Sequence, residues 1–596
     1  MFISDLFKIP MILDFDLDVK GRFIIYSSNA SGLLQLYLFS LINHTEPVQL
    51  TTGSDPVYAG HVAPDGSGIA YMQDKNGNES HHLFLLSLAD KKSVKLSKEA
   101  YRTFSLDWDP NGIEITRTFA SKASCGLQTF NLKTGESFIL KADVPPLLNV
   151  KYSHDGKWIA CTMYKSSKNQ EILVINRKDP DDYFVYTLAE DSKETNPIWS
   201  PDDSKLAFIS DVNGRNQVVV QEFQGSEKVF LELNKDEEVF PGHDVVWHPN
   251  GDQIYYCLNK YGRTKLVAHS LTDNARISLP FPLGTVSSPK IVGDGRFIMA
   301  IHSSMVTPPA IYMHTFNENS IVKILSQECK FDLSKLMKPK SIWYESFDKR
   351  KIHGWYIPAV ESKSKCPAVV SVHGGPWSQV SDEWFNGVMF HIYSQNGFAV
   401  FAPNFRGSTG YGAEFQNLDL GDPGGGDLED IVKAAEWLSM RPEIDKSKIG
   451  ITGISYGGYM TLMALTKKPE VFAVGVSLVP VVDWMEMYYL SDLAYRAFVE
   501  MLLAGKPSEN EALYKDRSPI THVKNIRAPV MIMAGKNDSR CPIQPIEKFV
   551  EKLKDLNHPH EFIVEEKAGH ISSLFKWEEA IPLFTKIIAY FKKNLG

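Results

Sequence analysis

Two patterns of hydrophobic and polar positions divide the chain near residue 337. Before that point, short apolar stretches alternate with turns rich in Gly, Pro, Asp and Asn, which is typical of β-strands. After it, short apolar stretches alternate with longer segments whose apolar positions recur at helical spacing. The patterns therefore predict an all-β domain followed by a domain of alternating strands and helices.

The all-β part repeats itself. A small turn followed by an apolar strand recurs seven times, with a marker residue (Gly, or Asp in the fifth copy) at positions 21, 66, 112, 156, 203, 251 and 295. A period in the mid-forties with several short strands per unit is typical of a four-stranded propeller blade. We therefore predict a seven-bladed β-propeller over residues 15–325. Unrelated turns in a β-sandwich are the alternative, because evenly spaced turns also occur there.

The second part predicts an α/β-hydrolase domain over residues 326–596. Residues 341–347 and 352–357 alternate like an antiparallel pair, and buried strands are expected at 368–372, 398–402, 530–533 and 561–564, with a helix from Asp427 to Met440. This order predicts a doubly wound, mostly parallel sheet. The N-terminal segment, residues 1–14, is expected to pack on this domain.

One serine lies at the turn between a predicted strand and a predicted helix. Residues 453–457 read Gly-Ile-Ser-Tyr-Gly, after an isoleucine-rich strand and before a segment with helical spacing. A Gly-x-Ser-x-Gly turn from strand to helix exposes the serine hydroxyl above the sheet. The pattern alone is weak, and its context makes Ser455 the candidate nucleophile.

Two more chemical groups follow later strands. Asp538 comes after the strand at 530–533, and His570 after the strand at 561–564. In a doubly wound sheet, loops at the carboxyl ends of the strands meet, so Ser455, Asp538 and His570 are predicted to form a catalytic triad. A histidine activates the serine hydroxyl, and a carboxylate holds the imidazole. The alternatives are a loop-capping aspartate and a surface histidine.

Stabilising the oxyanion requires two backbone N–H donors. One is expected from Tyr456, the residue after the nucleophile. The other is assigned to Gly375 in the sequence His-Gly-Gly-Pro at 373–376, which follows the strand at 368–372. The alternative is that this sequence is simply a tight turn.

Composition narrows the function. The formal charge of −8 excludes a predominantly electrostatic nucleic-acid or membrane-surface partner. The six cysteines are scattered, so free thiols are expected, and neither a disulfide framework nor a cysteine-based zinc site. The N-terminus lacks the pattern of a signal peptide, and no apolar stretch is long enough to span a bilayer. We therefore expect a cytoplasmic protein.

The motifs together resemble the prolyl oligopeptidase family of serine peptidases. They are His-Gly-Gly-Pro, Asn-Phe-Arg-Gly-Ser-Thr-Gly-Tyr-Gly, Gly-Asp-Pro-Gly-Gly-Gly-Asp, Gly-Ile-Ser-Tyr-Gly-Gly-Tyr-Met and Asn-Asp-Ser-Arg, all behind a propeller. The resemblance is closest to the archaeal-type acylaminoacyl peptidases. It implies release of N-acylated amino acids from short peptides, esterase activity, no metal or other cofactor, and a homo-oligomer.

The resemblance also implies substrate-binding residues. It suggests Arg540 as a cationic group near the cleft, and Trp484, Phe498 and Val499 as walls of an apolar specificity pocket. The alternatives are an ordinary ion pair for Arg540 and plain core positions for the three apolar residues.

Two further hypotheses stay open. Glu237 and Glu238 on the propeller resemble the paired glutamates with which dipeptidyl peptidases bind a free peptide amine, although a solvated acidic turn is the favoured interpretation. An oligopeptidase is the other alternative within the family. A hypothesis from another class is a propeller that docks proteins, with an inactive hydrolase domain.

Overall fold

The computed structural model describes residues 2–166, 168–240, 245–360 and 365–596. A short helix, α1 (Phe2–Phe7), is followed by a β-domain and then by an α/β-domain. Helix α1 packs against two helices of the α/β-domain, Trp384–Ser394 and Trp577–Leu595. The N-terminal segment therefore contacts the second domain although the first lies between them in the chain.

Seven separate sheets form the β-domain, and each is built from consecutive antiparallel strands. This confirms the seven-bladed propeller. The strands in chain order are β1 Ile12–Leu17, β2 Phe23–Ser28, β3 Gln35–Ser40, β4 Val48–Gln49; β5 Gly60–Val62, β6 Gly68–Gln73, β7 His82–Ser87, β8 Ser93–Lys95; β9 Leu106–Trp108, β10 Glu114–Ala120, β11 Cys125–Asn131, β12 Ser137–Ala142; β13 Leu147–Tyr152, β14 Trp158–Tyr164, β15 Gln170–Asn176, β16 Tyr183–Tyr186; β17 Glu194–Trp199, β18 Lys205–Ser210, β19 Gln217–Glu222, β20 Lys228–Phe230; β21 Glu238–Val239, β22 Val246–Trp247, β23 Gln253–Lys260, β24 Arg263–Ser270, β25 Arg276–Ser278; β26 Thr285–Ile291, β27 Phe297–Ser304, β28 Thr307–Thr315 and β29 Ser320–Ser326.

The marker residue of each repeat lies in the turn that leads into a long strand of its blade. All seven markers have a positive φ, including Asp203 at 57°, where the other repeats have glycine. Glycine adopts this conformation without steric cost, and aspartate tolerates it better than most residues. The repeat found in the sequence is thus the repeat of one turn. Strand β1 packs against β26 and β28, so the seventh blade contacts the first and the ring closes.

The α/β-domain contains one eight-stranded sheet with the order β30-β31-β33-β32-β34-β35-β36-β37. Strands β30, β31 and β33 pair antiparallel, and the remaining pairs are parallel. This confirms the predicted mostly parallel sheet. The strands are β30 Lys340–Glu345, β31 Lys351–Ile357, β32 Cys366–Val372, β33 Ala399–Asn404, β34 Ile444–Ile454, β35 Val474–Leu478, β36 Val530–Gly535 and β37 His560–Glu565.

Helices cover both faces of this sheet. They are α2 Trp384–Ser394, α3 Ala413–Gln416, α4 Gly426–Ser439, α5 Tyr456–Lys467, α6 Trp484–Leu490, α7 Leu493–Leu502, α8 Glu511–Asp516, α9 Ile543–Asp555 and α10 Trp577–Leu595, with short 3-10 helices at Leu333–Lys335, Asn417–Asp419, Pro519–Thr521, Val523–Asn525 and Ser572–Phe575. Helices α1, α2 and α10 share one apolar core with the sheet, and α4, α5 and α9 share the other. None of the described helices is long and apolar enough to cross a membrane.

Candidate active site

Ser455 lies at the sharp turn between β34 and α5. Its backbone has φ 61° and ψ −119°, a conformation that a residue with a side chain rarely adopts. The turn is held by the Ser455 N–H, which donates to the Leu478 carbonyl at 2.9 Å, and by the Ser455 carbonyl, which accepts from Tyr459 N–H at 2.9 Å. The serine is thus fixed at the carboxyl edge of the sheet, where the sequence motif predicts it.

The second glycine of the Gly-x-Ser-x-Gly motif, Gly457, is required by close packing. A Cβ on Gly457 would lie 2.1 Å from the Val372 carbonyl oxygen of the neighbouring strand β32. Real Cβ atoms do not approach a backbone so closely, and only glycine lets α5 begin this near to the sheet. The motif therefore has a steric cause in this chain.

Asp538 and His570 meet at the same edge. The two lie in the loops after β36 and β37, and His570 Nδ1 is 2.8 Å from Asp538 Oδ2. The other carboxylate oxygen, Oδ1, accepts the backbone N–H groups of Arg540 and Cys541, each at 2.8 Å. Both side chains are buried. Fixed in this way, the carboxylate can hold the imidazole with its proton on Nδ1, which leaves Nε2 free to accept a proton.

One cavity connects the serine and the histidine. It has a volume of about 370 Å³, and its walls include Ser455, His570, Gly375 and Arg540. Apolar side chains form much of the remainder, among them Phe385, Met389, Phe390, Ile571 and Leu574. Three predicted site residues and one predicted substrate-binding residue therefore share one cavity.

The loop at 373–376 borders this cavity and is anchored by its histidine. His373 stacks on Phe405 with ring centroids 4.2 Å apart, and its Nε2 lies 2.8 Å from Ser408 Oγ. Burial lowers the pKa of His373 to about 4, so the ring is neutral near pH 7. The histidine thus has an anchoring role, and the exposed Gly375 is left facing the cavity.

Tyr456 is the first residue of α5. The first N–H groups of a helix have no acceptor within the helix, so this N–H is free of the helical ladder. The Tyr456 side chain points into the core, where its hydroxyl donates to Asp427 Oδ2 at 2.5 Å. This bond fixes the residue whose N–H is the predicted oxyanion donor.

Arg540 is held by a residue of the propeller. Its guanidinium makes two contacts with the Glu79 carboxylate, Nε to Oε2 at 2.9 Å and NH2 to Oε1 at 2.6 Å. Arg102, also from the propeller, contacts Glu79 at 2.5 Å and Asp492 at 2.5 Å. Although burial opposes ionisation, the two guanidinium groups hold the pKa of Glu79 well below its usual range. The network joins the two domains beside Asp538 and His570.

The propeller loop that carries Glu79 also touches the loop that leads to His570. A Cβ on Gly569 would lie 1.6 Å from the carbonyl oxygen of Gly77, so the two backbones are in direct contact. The prediction placed Arg540 near the cleft, and the structure adds that an acid from the other domain fixes its orientation.

The three predicted pocket walls lie apart from the cavity. Trp484 and Val499 are buried in the core of the α/β-domain, at 1% and 0% exposure. Phe498 is partly buried and packs against Trp377, with ring centroids 5.4 Å apart. None of the three lines the cavity that contains Ser455. Their role as specificity residues stays a prediction.

Glu237 and Glu238 do not line that cavity either. Glu237 pairs with Arg276 at 2.8 Å on the sixth blade. Glu238 is only 2% exposed, and therefore the expected solvated acidic turn is wrong for this residue. Its side chain lies against the loop that contains Gly410 and Gly412 of the other domain, and burial raises its pKa to about 7.

Three residues near the site carried no signal in the sequence. Glu79 is 461 positions from its partner Arg540. Glu383, just before α2, lines the Ser455 cavity and accepts a hydrogen bond from Asn386 at 3.0 Å; burial raises its pKa to about 7. Cys541 is buried next to Asp538 and His570.

The structure combines a propeller with a mostly parallel α/β sheet that carries a Ser, an Asp and a His after three of its strands. This combination defines a serine hydrolase of two domains. Family profiles agree with this class. The profile described as prolyl oligopeptidase family matches residues 384–596, and that of the prolyl oligopeptidase N-terminal beta-propeller domain matches residues 56–327. The chain belongs to the prolyl oligopeptidase family of serine peptidases, and the predicted family is confirmed.

Individual relatives differ in how much of their length aligns. An uncharacterized peptidase YuxL of Bacillus subtilis is 31% identical over 43% of this chain, and the alignment covers 39% of that protein. Dipeptidyl aminopeptidase BIII of Pseudoxanthomonas mexicana is 22% identical over 95% of this chain and 84% of its own length.

Solved structures match over the whole chain. A puromycin-hydrolyzing peptidase of Mycobacterium tuberculosis gives a TM-score of 0.87 at 18% identity, covering 100% of this chain and 96% of its own. Acylaminoacyl peptidase of Pyrococcus horikoshii gives a TM-score of 0.73 at 19% identity, and the match covers 100% of this chain and 97% of that protein. At such identities the likeness concerns the fold, and the substrate has to be argued from the site.

Proposed function

We propose that this chain cleaves amide bonds of short peptides through a triad of Ser455, His570 and Asp538. The observation that carries the proposal is the buried 2.8 Å contact between His570 and Asp538 at the cavity that also contains Ser455. His570 takes the Ser455 proton as the hydroxyl attacks the scissile carbonyl. The proton then goes to the leaving amine, and water hydrolyses the acyl-enzyme in the same manner.

The oxyanion of each tetrahedral intermediate accepts the backbone N–H groups of Tyr456 and Gly375. Support for Tyr456 is its position at the start of α5, and support for Gly375 is its place on the wall of the Ser455 cavity. Two aligned donors of this kind contribute several kcal/mol to the transition state in related chemistry.

The sharpest form of the function is release of an N-acylated amino acid, with esterase activity as a side reaction. Arg540 lines the cavity with its guanidinium oriented by Glu79, and its remaining N–H donors suit the carbonyl oxygen of an acyl cap. The mostly apolar walls suit an acyl group without charge. The likeness to an acylaminoacyl peptidase is consistent with this choice.

A second candidate is an aminopeptidase or dipeptidyl peptidase, and Glu383 favours it. This carboxylate lines the Ser455 cavity, so it could accept the protonated amine of a free peptide N-terminus. The relative named dipeptidyl aminopeptidase BIII, which aligns over 95% of this chain, is consistent with this candidate. The place of Glu383 on the cavity wall supports it over Glu237 and Glu238 as the amine ligand, because neither of the latter lines the cavity.

The test compares cleavage of three chromogenic amides: an N-acetylated amino acid, a free-amine dipeptide, and a longer peptide blocked at its N-terminus. We expect the first to be cleaved fastest and Ser455→Ala to lose at least about a thousandfold in rate on all three. Wild-type rates in Ser455→Ala would contradict the triad.

Glu383→Gln separates the two candidates. If the enzyme prefers acyl caps, this variant keeps its rate on the N-acetylated amide. If it prefers a free amine, KM for the dipeptide rises by at least about tenfold, because a charge-assisted hydrogen bond is lost. Preference for the long blocked peptide would instead indicate an oligopeptidase. A wild-type protein that cleaves none of the three amides and does not react with a serine-directed phosphonate would support the hypothesis of a protein-docking propeller with an inactive hydrolase domain.

A further inference from the structure

Three metal-ligating side chains converge beside the catalytic serine. A carboxylate oxygen of Asp538, the Sγ of Cys541 and a ring nitrogen of His570 all lie within 4.8 Å of one another. All three residues are buried, and the first two are three positions apart on one turn. The triad uses Asp538 and His570, whereas the thiol takes no part in the proposed reaction.

The backbone explains why the thiol is there. Asp538 Oδ1 accepts the N–H groups of Arg540 and Cys541, so the chain wraps around the carboxylate and brings Cys541 back towards it. These two hydrogen bonds would also orient the carboxylate as a ligand, since metal-binding groups are normally fixed by such outer contacts. One turn therefore positions two of the three ligands, Asp538 and Cys541.

Their chemistry fits zinc. Zn²⁺ binds thiolate sulfur at about 2.3 Å and imidazole nitrogen or carboxylate oxygen at about 2.1 Å, in tetrahedral geometry. Ligand atoms around such an ion are roughly 3.4–3.6 Å apart. His570 Nδ1 and Asp538 Oδ2 are 2.8 Å apart and have to separate by well under 1 Å. The Cys541 Sγ lies within 4.8 Å of the other two ligand atoms and has to move closer by at most about 1.2 Å. Water can supply the fourth ligand.

The ion would also have a route and a suitable field. A cavity of about 480 Å³ reaches Asp538 from the side of Arg102 and Asp492, and another of about 240 Å³ reaches His570 beside Arg540 and Glu79. The carboxylates of Glu79 and Asp492 offset the positive charge of the two guanidinium groups. Both guanidinium groups beside the smaller cavity are therefore paired, whereas the larger cavity is also lined by the cations Lys122 and Lys536.

We propose that Asp538, Cys541 and His570 form an inhibitory binding site for Zn²⁺ and other divalent cations that bind thiolate ligands. With the ion on His570 Nδ1, the neutral ring carries its single proton on Nε2, which can then no longer accept the proton of Ser455. The Cys541 thiol releases one proton to solvent for each ion bound, and no oxidation or reduction takes place. The loss of activity rests on the proposed triad, whereas the binding itself does not.

Two measurements test the site. Zinc chloride is titrated against hydrolysis of the preferred amide in a buffer that does not bind metal, and each variant is compared with its own zinc-free rate. We expect the wild type to be inhibited, the inhibition to be reversed by EDTA, and Cys541→Val to need about a hundredfold more zinc, because one of three ligands is missing. Cys541→Ser serves as a second variant in case the valine substitution does not fold.

Binding is measured separately with Co²⁺, whose coordination by a thiolate produces charge-transfer absorption. Ser455→Ala should develop this absorption as the wild type does, and Cys541→Val should not. Cys161→Val, which removes a buried thiol from the fourth blade, is the matched control and should leave both results unchanged. Equal zinc inhibition of the wild type and Cys541→Val, or cobalt–thiolate absorption in Cys541→Val, would overturn the proposal. Absorption without any activity in the wild type would keep the site and reject the proposed function instead.

Discussion

Two glutamates of the propeller face the α/β-domain, and their pKa values are shifted in opposite directions. Glu79 contacts the guanidinium groups of Arg540 and Arg102, and its pKa is held well below the usual range. Glu238 is 2% exposed, neither of its oxygens has a hydrogen-bond partner among the described residues, and burial raises its pKa to about 7. Both lie at the contact between the domains.

The difference shows what a buried charge needs. Burial opposes ionisation at both positions, and only at Glu79 do nearby cations outweigh it. At Glu238 the Arg215 charge and the N–H groups of Gly410, Gly412 and Asn216, which lie near the carboxylate without hydrogen-bond geometry, favour the charged form, but too weakly to offset burial. At the contact between the domains, the buried carboxylate beside Asp538 and His570 is thus paired with two cations, whereas the one on the sixth blade is only weakly compensated.

Breaking the paired side should have the largest effect. Glu79→Ala leaves the guanidinium groups of Arg102 and Arg540 facing each other without their shared carboxylate. Removing one partner from a buried charge network costs about 3–5 kcal/mol, and we expect a loss of that order in urea unfolding. Because Arg540 loses its orientation, kcat/KM on the preferred amide should also fall by at least about tenfold.

Glu136→Ala is the matched control, since Glu136 is an exposed acid on the same domain. It should change unfolding by less than about 0.5 kcal/mol, as most exposed substitutions do. A Glu79→Ala protein as stable and as active as Glu136→Ala would contradict the assigned role of the network.

Removing the weakly compensated buried charge of Glu238 should stabilise the protein. Glu238→Gln keeps the shape of the side chain and removes the charge. A folded pKa above the usual value of 4.5 means that stability is lost as pH rises towards about 7. At pH 8 we expect the variant to be more stable by about 1–3 kcal/mol in urea unfolding. Destabilisation at pH 8 would show that the carboxylate has a strong partner.

Much of the fold could be predicted because it repeats or follows local rules. The seven markers are one turn that needs a positive φ, and Asp203 was recognised by its spacing although it is not glycine. The central strands β33, β35 and β36 of the α/β-domain are buried on both faces and therefore read as continuous apolar stretches. Asp538 follows one of them and His570 follows the half-buried β37, and the topology brings the strand ends together.

Residues that join distant parts of the chain could not be predicted. Glu79 follows a turn that resembles any other polar loop, and only the packing of the propeller on the hydrolase brings it to Arg540. Cys541 and Glu383 gave no sign because their importance depends on the cavities and side chains around them. Trp484 and Val499 occupy the core, the usual place for apolar side chains at helical spacing.

The smallest expected effect is a difference between the two glutamates in how the free energy of unfolding changes with pH. The folded pKa of Glu79 is depressed, so its contribution is fully present above the unfolded value near 4.5 and is lost only as pH falls through the folded pKa. The stability difference between wild type and Glu79→Gln should therefore stay constant, within about 0.5 kcal/mol, from pH 8 to pH 5.5. Over the same interval the difference between wild type and Glu238→Gln should shrink steadily, because Glu238 becomes protonated in the folded protein. Urea unfolding of the three proteins at several pH values measures both slopes, and parallel slopes would mean that the two glutamates share one environment.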